Sequence, residues 1–252
     1  MKKTILMACL ALAACGGSND AGLDWREVTA KQQSALTEES GSPTCEVSIQ
    51  LEECASENVG KAINQQIAEQ LFGIKGLSLK QTADSFARHY TNRYQQDMRP
   101  FYRDDRNVKE RKQWYDYRYN IKMTHVSRRA NTVSTIIDTE RYEGGAHSVE
   151  NRIVANFDTK SGKQITLNQI LKEEYDTRLC QLLTDELMKK TGAKSIDDLR
   201  NKGYLAGGDI VVPDNYILGD EEITFVFNPY EIASYDKGFI ELKIEKNELW
   251  KE

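Results

Sequence analysis

Hydrophobic positions recur along the chain with two periods, and the switches between them predict its elements. From Cys45, Val47, Ile49 and Leu51 alternate with Glu46, Ser48, Gln50 and Glu52, the pattern of a half-buried strand. After Ser56 the spacing lengthens: Val59, Ile63, Ile67 and Leu71 fall four apart, and Gly73 and Gly76 end the predicted helix. A second helix opens at Ser78, with Gln81 as its capping-box partner, and carries Ala83, Phe86, Tyr90 and Tyr94 along one face until Pro100. Alternation returns at Trp114, with Tyr115, Tyr117, Tyr119, Ile121 and Met123 facing the core and Asp116, Arg118, Asn120 and Lys122 facing away. Residues 133–142 and 149–157 predict two more strands, and the short turns between them argue for an antiparallel meander. Asn168 is placed to cap a long helix over 169–190, and a short helix follows with Ser195 and Asp198 as its capping pair. Residues 216–218, 223–227 and 239–244 read as closing strands. This order predicts an α+β fold, a mostly antiparallel sheet with helices packed on one face, as a single unit over residues 44–252.

The N-terminal end follows neither period. Lys2 and Lys3 precede an apolar run over 5–14 that is too short to span a bilayer as a permanent helix. The run ends in Leu12-Ala13-Ala14-Cys15 followed by Gly16 and Gly17, which resembles the lipobox of bacterial lipoproteins. The resemblance implies a signal peptide over 1–14, cleavage before Cys15 and acylation of that cysteine, palmitate included. The protein is then expected to be lipid-anchored to a membrane and to lie outside the cytoplasm, facing the periplasm or the cell surface. Residues 15–43 are polar, with Gly, Ser and Glu frequent, and read as the lipidated N-terminus and a flexible tether.

Charge narrows the partners. The formal charge is −5, and loss of residues 1–14 with their two lysines makes the chain more acidic still, which excludes nucleic acid as a partner. In an envelope compartment Cys45, Cys54 and Cys180 are able to form a disulfide. An extended chain between Cys45 and Cys54 separates them by about 30 Å, far beyond the ~4.4–6.8 Å a disulfide spans. A bridge to Cys180, an irregular strand end, or three small buried side chains all remain open.

Candidate chemistry is sparse. His147 has only His89 and His125 as companions, none at metal-ligand spacing, and no Gly-x-Ser-x-Gly elbow is present. No metal, cofactor or catalytic residue is assigned. The paired carboxylates Asp104-Asp105, Asp197-Asp198 and Glu221-Glu222 fall in turns or helix starts and read as solvated surface. Aromatic rings beside arginine offer more to a ligand: Phe101, Tyr102, Arg103 and Trp114, together with His147, are the candidate binding residues.

Two segments carry a family resemblance. One is Tyr142-Glu143-Gly144-Gly145-Ala146-His147, with Asn156-Phe157-Asp158 and 162–167 behind it; the other is 225–233, containing Asn228-Pro229-Tyr230, followed by Tyr235 and Gly238. Together they resemble the extracytoplasmic domain of RsiV-type lysozyme-sensing anti-sigma factors, shared with the N-terminal region of PdaC-type peptidoglycan deacetylases, over roughly residues 45–250. The resemblance implies a non-catalytic binding module for a lysozyme-like protein or a cell-wall glycan such as peptidoglycan. The alternative is a cell-wall hydrolase with an unrecognised carboxylate site. Tyr142, Gly144, Gly145, His147, Pro229, Tyr230 and Gly238 read as mainly structural motif residues: the glycines supply positive φ or close approach, and Tyr230 is expected to bury its ring.

Overall fold

Alternating residues build a five-stranded sheet. The structure is a computed structural model that describes residues 22–246 and 249–251, so the signal peptide expected over 1–14 and the expected lipidation site Cys15 lie outside the described residues. The strands are β1 (Trp25–Ala35), β2 (Thr44–Cys54), β3 (Tyr117–Arg129), β4 (Thr132–Glu143) and β5 (Val149–Asp158), adjacent in chain order. Strands β3, β4 and β5 form the predicted antiparallel meander, β1 is antiparallel to β2, and β2 runs parallel to β3. That parallel pairing requires a crossover, which α1 (Glu57–Phe72) and α2 (Leu79–Asp104) supply.

Both helices pack on one sheet face. Ile63 and Ile67 of α1 and Leu79, Ala83 and Ala87 of α2 meet Val47, Ile49, Ile121, Met123 and Ile137 in one buried cluster. Each large aliphatic side chain sunk there contributes about 1.5–3 kcal/mol. Ser78 and Gln81 close the capping box read from the sequence. After a short helix, α3 (Val108–Arg111), Lys112–Tyr115 forms a 3₁₀ turn that leads into β3.

The rest of the chain forms a second, smaller layer. Here α4 (Leu167–Ile170), α5 (Tyr175–Thr191) and α6 (Ile196–Asn201) accompany a three-stranded antiparallel sheet of β6 (Tyr216–Leu218), β7 (Glu222–Phe227) and β8 (Ile240–Glu245). Its core gathers Leu179, Leu183 and Leu187 of α5 against Phe225, Phe227 and Leu242. A third, small cluster of Val154, Ile217 and Val226, with Val126 and Ile136, joins the two sheets. Asparagines tie the same junction. The Asn156 amide donates to the Tyr216 carbonyl at 2.7 Å while its oxygen accepts from the Leu218 N–H at 3.2 Å. Asn215 exchanges hydrogen bonds with the Val154 N–H and the Arg152 carbonyl, both at 3.0 Å. The outer edge of β5 is thus met by side-chain amides at Arg152 and Val154 and by the backbone of 163–165 at its end.

Five expectations are corrected. Residues 25–35 are a strand, where a tether was expected: β1 lies at the sheet edge and buries Val28 and Ala30 alone along its length, so its alternation is faint. Helix α2 runs past Pro100 to Asp104, its last turn fastened by an edge-on contact of Tyr102 with Tyr115 at 5.1 Å. Trp114 and Tyr115 precede β3 and do not begin it. The helix expected over 169–190 is broken at 171–174, where Leu171 bridges to Trp250 and the Lys172 N–H donates to the Leu249 carbonyl at 2.7 Å. The short first piece, α4, is capped by Thr166 with Gln169 and not by Asn168, and α5 starts after Glu174 without a side-chain cap.

All three described cysteines are free thiols, with Cys45 and Cys54 buried near the two ends of β2. Among the described residues no helix is long and apolar enough to cross a membrane.

Candidate functional site

The second face of the five-stranded sheet is only half covered. Strand alternation sends Ser48, Gln50, Asn120, Lys122, Asp138 and Glu140 to the side away from α1 and α2. Toward one end of the strands this face meets β6 and β7. Beyond them a groove of about 390 Å³ is left, with these polar side chains as its floor and Glu150 and Phe239 at its margin.

The floor is wired by hydrogen bonds. Glu140 accepts from Asn120 Nδ2 at 2.9 Å, from Ser148 Oγ at 2.9 Å and from Arg118 at 3.2 Å. These donors, Asn120 foremost, hold its carboxyl below the usual range, although partial burial works against them. Arg152 grips Asp138 through two bonds of 2.7 and 3.1 Å and reaches Glu241 at 3.3 Å. Its guanidinium also lies 4.8 Å from the centre of the Phe239 ring. The groove therefore presents fixed charges and fixed amides.

Aromatic rings line the adjoining rim. The β4–β5 hairpin turns on Gly144 and Gly145, at φ of 80° and 103°. A Cβ on Gly144 would sit 2.4 Å from the Trp114 carbonyl oxygen, so both positive φ and close approach demand glycine there. The Tyr142 hydroxyl donates to the Gly145 carbonyl at 3.0 Å and steadies the turn. His147 then projects outward, with Nδ1 2.9 Å from the Ser148 carbonyl oxygen and its ring stacked on Tyr235 at 4.4 Å. Tyr235 in turn meets Tyr230 at 5.6 Å. The Tyr235 hydroxyl is pushed up, by desolvation first and then by the charge of Glu150, which ties this row to the groove margin.

Tyr230 does not bury its ring as expected. It is 65% exposed, because its φ of 73° and the bond from its N–H to the Ala233 carbonyl at 3.1 Å turn the side chain outward after Pro229. Gly238, at φ 62°, ends the loop that carries Tyr235.

Phe101, Tyr102, Arg103 and Trp114 stand apart from the groove floor. Phe101 and Trp114 are 66% and 52% exposed, but Tyr102 packs on Tyr115 and Arg103 pairs with the neighbouring Asp104 at 2.9 Å. Of this set the structure brings only Trp114, through its backbone, against the hairpin that carries His147. Residues not singled out from the sequence supply the floor: Asp138, Glu140, Glu150 and Asn120, with Phe239 beside them. Their one legible signal was the polar phase of β3 and β4.

Residues 168–247 match the DUF3298 family, described as a protein of unknown function. The DUF3298 segment comprises α5, α6 and β6–β8, and hence Tyr230, Tyr235 and Phe239; the groove floor and His147 lie before it. Two crystal structures of DUF3298 proteins share the fold. One, from Bacteroides fragilis, is 24% identical with a TM-score of 0.84, covering 92% of this chain and 94% of that one. The other, from Pseudomonas aeruginosa PAO1, is 15% identical with a TM-score of 0.60, covering 90% and 95% respectively. No curated protein matches the chain.

Proposed function

We propose that this protein is a cell-envelope lipoprotein whose groove binds a cell-wall glycan strand without cleaving it. The observation that carries this reading is the stacked row of exposed His147, half-buried Tyr235 and exposed Tyr230 alongside a floor of fixed carboxylates and amides. A sugar ring offers an apolar face to stack on aromatic rings and hydroxyls to pair with fixed polar groups, and a concave site with a few convergent polar groups suits such a ligand.

The floor chemistry argues against hydrolysis. A glycosidase keeps one carboxyl protonated by raising its pKa. Glu140 is shifted the opposite way, and Asp138 is held in a two-bond ion pair with Arg152. Both serve as charged acceptors. The resemblance of the segment ending at Cys15 to a lipobox supports an envelope location, and the resemblance to RsiV-type domains supports a binding role.

Co-sedimentation of the full-length protein with purified peptidoglycan tests the reading, alongside an assay for soluble products and a lysozyme pull-down. Saturable binding that falls with Tyr235→Ala and His147→Ala, without product, is the expected result. Product lost with Glu140→Gln would establish the hydrolase instead, and capture of lysozyme without peptidoglycan would establish a protein ligand. Mass spectrometry of the native chain is expected to find an acylated Cys15 as its first residue.

A further inference from the structure

The two edges of the five-stranded sheet are treated differently. The β5 edge is occupied by the Asn215 and Asn228 side chains. Strand β1, eleven residues long, pairs among the described residues with β2 alone. Its inward hydrogen bonds belong to even-numbered residues: the Asp24 carbonyl accepts from Ala55 and the Leu36 N–H donates to Pro43. The backbone groups of Trp25, Glu27, Thr29, Lys31 and Gln33 therefore point outward, and Glu27, Thr29, Lys31 and Gln33 carry exposed side chains. Such an edge is a template for another strand unless its side chains forbid it.

We propose that this edge pairs with the β1 edge of a second copy of the chain, antiparallel and centred on Thr29. Self-complementarity selects both the occupant and the register. With Thr29 opposite its own counterpart, Glu27 faces Lys31 of the second copy and Lys31 faces Glu27, so two opposite-charge cross-strand pairs form on the exposed side. On the buried side Val28 faces Ala30, which extends the apolar core across the junction. Every outward backbone group from Trp25 to Gln33 finds a partner in this register. Moving the centre to Glu27 or Lys31 sets like charges opposite one another, and centring on Val28 or Ala30 loses both ion pairs. The result is a continuous ten-stranded sheet that leaves both grooves open.

The test is disulfide trapping in the full-length protein. A Thr29→Cys chain, oxidised with copper phenanthroline, is expected to give a covalent dimer on a non-reducing gel, whereas Ser161→Cys, an exposed turn position, stays monomeric. Analytical ultracentrifugation in detergent supplies the second measurement. Lys31→Glu is expected to raise the dimer dissociation constant about tenfold, since two attractive pairs become repulsive, and adding Glu27→Lys to it should restore the affinity. Equal trapping at Thr29 and Ser161, linkage of Thr29→Cys only to another protein, or a monomer at every concentration would overturn the proposal.

Discussion

Arg152 and Asn228 are joined as if they stood on neighbouring strands. The Arg152 N–H donates to Asn228 Oδ1 at 2.6 Å, and Asn228 Nδ2 donates to the Arg152 carbonyl at 3.2 Å. Asn228 is itself buried, and Glu231 accepts from both its backbone N–H and its side-chain amide. One side chain thus ends the β5 edge and sets the start of the loop that carries Tyr230 and Tyr235. Replacing it with alanine strands buried polar groups, at about 1–3 kcal/mol. Urea unfolding of Asn228→Ala is expected to show a loss in that range. Asn228→Asp keeps the acceptor but sets a charge against the Arg152 carbonyl, so it should not rescue stability. A variant as stable as the parent would remove Asn228 from this role.

Gly144 holds the hairpin side of the same rim. Alanine there must adopt a φ of 80° and place its Cβ 2.4 Å from the Trp114 carbonyl oxygen. The strained backbone alone costs about 1–3 kcal/mol, and relief of the clash has to displace either the hairpin or the turn at Trp114. Gly145 has a φ of 103° but open space around its Cβ position, so Gly145→Ala meets strain without collision. Thermal melts should therefore rank Gly144→Ala below Gly145→Ala, and glycan binding should fall further in the former. The reverse order would show that the close approach to Trp114 is not what constrains the turn.

How much of this was legible in the chain follows from how local each determinant is. Ser78 with Gln81, and the strand at 216–218, were readable because the cap and the apolar run are contiguous. Strand β1 was not, since an edge strand needs only Val28 and Ala30 to meet the core. The break at 171–174 depends on pairing with 249–251, some eighty residues later, and helical periodicity continues across it regardless. The groove is the extreme case. Its floor takes polar residues from β2, β3 and β4, and alternation marks them only as facing away from the core, without showing that β6 and β7 leave that half of the face open.

Cys45 offers a chemical check on the core. It is wholly buried, and its thiol is pushed up to about 12, by desolvation first and then by the charges of Glu143 and Glu46. At pH 8 only about one thiol in 10⁴ is then ionised, and the thiolate is the reactive form. Iodoacetamide at that pH should leave Cys45 unmodified in the folded protein and label it rapidly in urea, as peptide mass mapping would show. Labelling in the native state at a rate near that of the unfolded chain would mean that the β2 core opens far more readily than its packing implies.

Glu140 sets the acid limit of the groove. Its carboxyl is depressed in the folded state, chiefly by the Asn120 hydrogen bond, with Ser148 and Arg118 adding to it. A depressed carboxyl binds fewer protons folded than unfolded, so it contributes stability above its ordinary value of 4.5 and loses that contribution as pH falls through the lower folded value. Glutamine at this position cannot carry the charge at any pH. The stability gap between the parent and Glu140→Gln is therefore expected to be constant near neutrality, to begin shrinking as pH drops below 4.5, and to close in stronger acid. Denaturation curves for the two proteins across that window decide the matter. A gap that widens on acidification would require Glu140 to be protonated in the folded state, which would return it to contention as a general acid.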